Sequence, residues 1–274
     1  MGPLLVAAGA ALIVTAQARS IQPGELVVLT ITLPAPAGTV RVRAFDRDQT
    51  AFRVDDTVWR ALVGIDLDVR PGRHTVTIDA GGEHAVHPLD VKPKKFPTRS
   101  LTVDEAFVNP PESMRERIDR DAKALAAVWA SPAPGKLWTG PFVRPVPQPA
   151  NSRFGTRSIY NGAARSAHGG ADFLSPSGTP VHTPAGGRVV IARDLYFTGN
   201  TIVIDHGLGL FSMLAHLSAI DVREEETVTA GQLVGKVGAT GRVTGPHLHW
   251  AVRAGGARVD PLSVLALLGE GATP

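Results

Sequence analysis

The sequence predicts a mainly β protein: an N-terminal immunoglobulin-like β-sandwich, a connecting helix and a C-terminal antiparallel β-sheet domain. Three observations carry that prediction. Between Glu25 and Val91 apolar residues recur with period two, in short runs separated by turn signals. From about Asn151 onward short apolar runs are divided by glycines, with no amphipathic helix until Pro261. Between these halves lies one apolar stripe at helical spacing, followed by a run of prolines.

Residues 1–18 read as an export leader. Met1 to Thr15 is apolar but too short to span a bilayer. Ala16-Gln17-Ala18 then supplies the small-x-small pattern of a signal-peptidase site, which puts the mature N-terminus near Arg19. The sandwich is expected over 20–92. Leu29, Ile31 and Leu33 alternate with Val28, Thr30 and Thr32, and similar runs follow at 40–45, 51–54, 58–65, 74–78 and 84–91. Turn signals lie between them at Pro36-Ala37-Gly38, Asp46 to Asp48, Pro71-Gly72 and Gly81-Gly82. Short strands at this spacing, in about 70 residues, suit an immunoglobulin-like sandwich. His74, His84 and His87 fall here with no acidic partner at ligand spacing and read as structural.

The helix is expected over 109–131, with Asn109 as N-cap and Pro110 at the first helical position. Met114, Ile118, Ala122, Leu125 and Trp129 form its apolar stripe. Its other faces mix both charge signs, which favours packing against a neighbouring domain over a membrane surface. Pro132, Pro134, Pro141, Pro145, Pro147 and Pro149 predict a stiff, extended linker over 132–150, with the domain boundary there. The C-terminal domain is expected over 151–268.

With 274 residues, 43% apolar and 19% charged, the chain can bury a substantial core. A net charge of +3 suits an anionic polymer as partner. No basic run is interleaved with aromatics, so nucleic acid is not expected. No stretch after the leader is long and apolar enough to be a membrane span, so none is expected in the mature chain. The absence of cysteine excludes disulfides, thiolate ligands, a cysteine nucleophile and a lipidated cysteine.

Chemistry concentrates in the histidines of the C-terminal half. His247 and His249 stand at i and i+2 in an apolar run, so on a strand both point to one face. His168 has a carboxylate, Asp172, four residues on, with Gly169 and Gly170 between to let the backbone turn. A catalytic zinc site takes three N/O ligands and leaves a fourth position open. His168, Asp172 and one histidine of the later pair would make such a set. His216 lies alone in an apolar segment and by itself reads as a packed core histidine.

These residues together carry a family resemblance. Ser152 to Arg157, His168-Gly-Gly-Ala-Asp172, Gly178-Thr-Pro-Val181, Asp205-His-Gly207, His216-Leu-Ser218 and Pro246-His-Leu-His249 resemble the M23 metallopeptidases. Those are the lysostaphin-like or LytM-type peptidoglycan endopeptidases. The resemblance covers about residues 147 to 262, in order and at family-like spacing, and leaves the sandwich and helix outside it.

Carried over by position, the resemblance makes His168, Asp172 and His249 ligands of Zn²⁺, with His216 and His247 as the catalytic pair. It implies a compact antiparallel sheet with a groove. Two neutral imidazoles and a carboxylate leave such a site net positive, lowering the pKa of bound water toward about 7 so that hydroxide can attack a peptide carbonyl. His247 is the first choice for general base and then acid, with His216 stabilising the oxyanion or orienting water. The implied partners are peptidoglycan peptide stems, and the implied location is periplasmic or secreted. His206 and His182 read as structural, and Tyr160 as a candidate groove residue. In place of the family's usual aromatic before the catalytic histidine stands Met213-Leu-Ala215, which bears on groove shape. A non-catalytic wall regulator of the same family is the alternative, and the intact set of five residues speaks against it.

Overall fold

The computed structural model describes residues 11–102, 105–152, 154–164 and 166–272. Seven strands build the N-terminal sandwich: β1 (Ile13–Ala18), β2 (Leu26–Thr32), β3 (Val40–Ala44), β4 (Arg47–Arg53), β5 (Val58–Gly64), β6 (Gly72–Ala80) and β7 (Glu83–Val91). Their spatial order is β1-β2-β5-β4-β3-β6-β7. β4 pairs with β3 up to Thr50 and with β5 from Ala51, so it turns the corner between two layers. That is the ABED-plus-CFG order of a constant-type immunoglobulin sandwich. β3 shows the physics most simply, since Val40, Val42 and Ala44 are buried while Arg41 and Arg43 are exposed. They meet Leu29, Ile31, Val63, Ile78 and Leu89 in one core.

The sandwich departs from expectation at two places. The β3–β4 turn is the two-residue pair Phe45-Asp46, with φ of 50° and 59°. Two positive φ values make a turn whose twist matches the paired strands, so β4 starts at Arg47, inside the expected turn. More consequentially, β1 comes from the stretch expected to be a cleaved leader, and it pairs along its whole length with β2. Residues 1–10 of that leader lie outside the described residues. A cut after Ala18 would remove the first strand of the sandwich.

After β8 (Thr98–Leu101) come α1 (Glu105–Val108), a 3-10 turn at Glu112–Met114 and α2 (Arg115–Ala130). The long helix therefore starts well after Asn109. Each residue before a proline is kept out of the helical region, and Asn109-Pro110-Pro111 applies that to Asn109 and Pro110.

The C-terminal region holds β9 (Ala150–Ser152), β10 (Arg157–Tyr160), β11 (Ala163–Ala164), β12 (Gly170–Phe173), β13 (Pro180–His182), β14 (Gly187–Leu195), β15 (Gly199–Asp205), β16 (Leu210–Ile220), β17 (Thr227–Val228), β18 (Leu233–Val237), β19 (Leu248–Ala254), β20 (Ala257–Val259) and α3 (Pro261–Leu268). The main path is β17-β14-β15-β16-β19-β12-β9, with β18 and β20 added beside β16 and β19 and β13 paired to β18. A small second sheet, β11-β10-β8, joins β8 parallel to β10.

The two faces of the main sheet have different work. Leu210, Leu214, Leu248, Trp250 and Val252 face the core. On the other face α2 lays Leu125, Val128 and Trp129 over Phe211 and Met213, with Trp129 edge-on to Phe211 at 5.2 Å. Past Met213 and its neighbour Ala251, the face that carries His249 opens as a cleft.

The proline-rich stretch expected as a linker packs onto the C-terminal domain. Trp138, Phe142 and Val146 are buried in the C-terminal core, and Leu137, Phe142 and Val143 donate backbone hydrogen bonds to His206, Leu268 and Pro184. The apolar residues set among the prolines pull the segment onto the domain. The sandwich is fused to the same core, because Leu26, Val28 and Leu62 belong to it. Gly64 lies so close that a Cβ there would fall 2.6 Å from the Ala254 carbonyl. Polar contacts frame this junction. Arg258 pairs with Asp66 and Asp68, Arg19 bridges Glu25 and Asp260, and the Leu26 N–H donates to Ser263 Oγ. Among the described residues no helix is long and apolar enough to cross a membrane.

Candidate active site

Strand register brings the first two site residues together: Asp172 on β12 is the direct antiparallel partner of His249 on β19. Along β19 the residues alternate, Leu248 and Trp250 facing the core and His249 the cleft. His168 reaches in from the loop before β12, anchored by backbone bonds to Thr156 and Gly155. Its Nε2 lies 2.9 Å from Asp172 Oδ1 and 3.1 Å from His249 Nδ1, while His249 Nδ1 is 2.8 Å from the same carboxylate oxygen. The two glycines between His168 and Asp172 act differently from the expected tight turn, since neither has positive φ. Gly170 supplies room: a Cβ there would collide with the Trp250 carbonyl and stand 2.8 Å from His249 Cε1 and Nε2. Gly169 has open space around it.

Two nitrogens and one oxygen that all converge form the donor set of a metal site, each ligand atom within 4.8 Å of the others. Bonds of about 2.0–2.1 Å to a tetrahedral Zn²⁺ separate the donors by about 3.3 Å. The present spacings need only small adjustments to reach that, so the residues fit the ion. Electrostatics agree. Burial would raise the Asp172 pKa, but hydrogen bonds from His168 and His249, and their charges, hold it well below the usual carboxylate range. Burial pushes His249 down, toward the neutral form a ligand needs.

His247 and His216 stand beside this trio. His247 Nε2 is 3.8 Å from Asp172 Oδ1, and the His216 ring lies 4.9 Å from His247 and 5.9 Å from His249. In each ring Nδ1 faces a carbonyl, Gly245 for His247 and Thr240 for His216, both at 2.9 Å. A carbonyl only accepts, so Nδ1 carries the proton and the neutral ring presents its Nε2 lone pair. Burial first, then the nearby His249 and His247, push His216 down to about 3.

His216 reaches the cleft through an irregular backbone. Period two would put it on the core side with Leu210 and Leu214. Instead it adopts φ 64° at a bulge where the pairing of β16 with β15 and β18 shifts register. The extra residue turns the ring into the cleft and returns Leu217 to the core.

The cleft is about 680 Å³. Tyr160 lines it, as do Leu174, Phe197 and Thr198, and so do Arg99 and Arg242, which sequence reading passed over. Arg99 belongs to β8, outside the expected domain, and arrives by pairing with β10 (Arg99 opposite Ser158), a long-range contact with no local signal. His206 is structural in position: fully buried, Nδ1 toward the Gly186 carbonyl and Nε2 toward Ser212 Oγ. His182 sits on β13, and His74, His84 and His87 on the sandwich, none of them in the cleft.

The profile of peptidase family M23 matches residues 166–261. Over 113 residues the chain is 42% identical to the peptidoglycan DD-endopeptidase ShyA of Vibrio cholerae, covering 41% of this chain and 26% of that protein. It is also 42% identical over 97 residues to the DD-carboxypeptidase/endopeptidase Mpg of Neisseria meningitidis, covering 35% and 22%. The match thus spans about a quarter of the length of these curated relatives. A crystal structure from Pseudomonas aeruginosa, described as a candidate peptidase M23, is similar over nearly everything. It is 33% identical with a TM-score of 0.72, and the match covers 90% of this chain and 96% of that one, so the likeness takes in the sandwich and helix as well as the cleft. With the likeness extending over both halves and the profile falling on the strands that carry the histidines, the chain belongs to peptidase family M23.

Proposed function

We propose that this chain is a zinc metalloendopeptidase that hydrolyses peptide cross-links of bacterial peptidoglycan in the periplasm or outside the cell. The observation that carries this reading is the five-residue cluster: three converging N/O donors, with two further imidazoles presenting Nε2 beside them. The relatives named as peptidoglycan endopeptidases support the substrate class. In this reading 151–268 is the peptidase unit, and the sandwich of β1 to β7 buttresses it.

His168, Asp172 and His249 would hold Zn²⁺, which supplies Lewis acidity to water and to the peptide carbonyl. The chain's own groups supply the rest. His247 Nε2 takes a proton from the attacking water and delivers it to the departing amide nitrogen. One water is thereby added across the C–N bond, leaving a carboxylate on one product and an amine on the other. Its Nδ1–H, fixed on the Gly245 carbonyl, keeps the ring in the tautomer that can do this. His216, held on the Thr240 carbonyl and kept neutral by burial, orients the water through its Nε2 lone pair.

The test is digestion of purified sacculi by the full chain, with and without chelator, and products resolved by mass. Conversion of cross-linked dimers to monomers, abolished by chelator, is the expected result. His247→Ala and His216→Ala should each lower the rate by about 10²–10⁴-fold with zinc content unchanged. A chain that binds less than stoichiometric zinc and cuts nothing would overturn the reading. A wall phenotype kept by His247→Ala would favour the regulator.

A further inference from the structure

The helix α2 precedes the peptidase unit in the chain, yet its polar end is tied to a wall of the cleft. Arg117, Asp121 and Leu125 follow at four-residue steps and so share one helix face. Farther along α2, Leu125, Val128 and Trp129 pack on Phe211 and Met213. The polar end meets the hairpin of β14 and β15 instead. β14 pairs with β17 only at Gly187 and Arg188, so among the described residues no strand lies outside its far end. The helix takes that place. Asp121 Oδ2 accepts the Tyr196 N–H at 2.8 Å, while Arg117 pairs with Asp194 and lies over the Tyr196 ring at 5.8 Å.

What the helix holds there is the support of His216. The hairpin tip is Tyr196-Phe197-Thr198, and Phe197 and Thr198 line the cleft. The Thr198 carbonyl accepts the backbone N–H of His216 at 2.9 Å, at the bulge that turns this ring into the cleft. Next to the tip, Gly199 packs so close to Thr240 that a Cβ would overlap it, and the Asn200 N–H donates to Thr240 Oγ1 at 2.9 Å. Thr240 in turn offers the carbonyl that fixes His216 Nδ1. The two bonds that aim His216, one from its backbone and one from its ring, both end on groups the hairpin carries or touches. A non-glycine residue at φ 64° keeps that backbone only where its surroundings impose it. We infer that Arg117 and Asp121 are positioning residues for His216: they anchor the hairpin tip, and the tip sets the bulge and the tautomer through which His216 orients water. This rests on the role given to His216 above.

The experiment uses the zinc-loaded full chain, cross-linked dimers released from sacculi, and 15N-labelled histidine. The His216 ring signals are those lost in His216→Ala. Asp121→Ala should lower kcat about 10- to 100-fold with KM and zinc content unchanged. In the same variant the Nδ1–H signal of His216 should weaken as the other tautomer appears. Asp121→Asn keeps an oxygen that can accept the Tyr196 N–H and should restore both readings. Asp119→Ala, at an exposed position of the same helix, should change neither. Added to His216→Ala, Asp121→Ala should bring no further loss, because the group it positions is gone. Where Asp121→Ala loses zinc together with activity, the fold is damaged, and Arg117→Met carries the same readings with Asp121 left in place. An unchanged His216 ring signal, or an equal rate loss in the His216→Ala background, overturns the positioning role and leaves the endopeptidase standing. Cleavage of nothing by wild type overturns the endopeptidase reading, and the ring signal alone then decides whether the helix sets His216.

Discussion

Gly170 is the position where one methyl group should disable the site. Its neighbours are the Trp250 carbonyl and the His249 ring, and a Cβ would sit 2.8 Å from His249 Cε1 and Nε2, where ordinary contact begins at 3.4 Å. The ring must then retreat by about 0.6 Å, or β12 must move off β19, and the two strands are held together by the Asp172–His249 pairing. Functional geometry tolerates displacements of about 0.5 Å. Gly170→Ala should therefore weaken zinc binding by about 10- to 100-fold, the range seen when ligand orientation is lost, and lower stability by about 1–3 kcal/mol. Competition against a chelator of known affinity measures the first, and denaturant unfolding of the metal-free chain the second. Gly169→Ala is the matched control, because its added methyl meets nothing within 4 Å and φ is not positive. Wild-type zinc affinity in Gly170→Ala, or equal loss in Gly169→Ala, would refute the steric argument.

Two more predictions concern parts remote from the metal. His206 is fully buried and burial pushes its pKa down to about 4, so the folded state refuses a proton that the unfolded chain binds below about 6.5. Stability is thus complete above pH 6.5 and falls by about 3 kcal/mol as pH drops toward 4; unfolding curves of His206→Gln should lose that part of the slope, and an unchanged slope would count against it. Because β1 pairs along its whole length with β2, a chain lacking residues 1–18 should unfold at lower denaturant than the full chain, and equal stability would mean that six strands suffice.

What was legible in the sequence was whatever depends on local spacing. Period two located β2 through β7, and the i, i+2 relation put His247 and His249 on one face, where Asp172 meets both. His168 and Asp172 were visible as a pair because only one loop separates them. His216 was legible only through the family resemblance, because its strand alternation points to the core and a backbone bulge reverses it. Arg99 needed the parallel pairing of β8 with β10, a contact across 59 residues. The prolines at 132–149 predict a linker, but not where it lies, which Trp138, Phe142 and Val146 decide by burying themselves in the C-terminal core.

The shared core at the junction has a consequence for how the molecule is made. Leu26 bonds its backbone to Ser263, 237 positions later, and Leu26, Val28 and Leu62 share a core with Val259 and Val264. While the chain is being synthesised, the first half to appear carries an oily patch that nothing yet covers. Closure waits for nearly the last residues, so a chain broken off before Asp260 keeps that patch wet and its junction open. Long-range closure of this kind is slow and leaves the nascent protein exposed to aggregation and proteolysis. The molecule would in this way reach its finished shape only after α3 has been made.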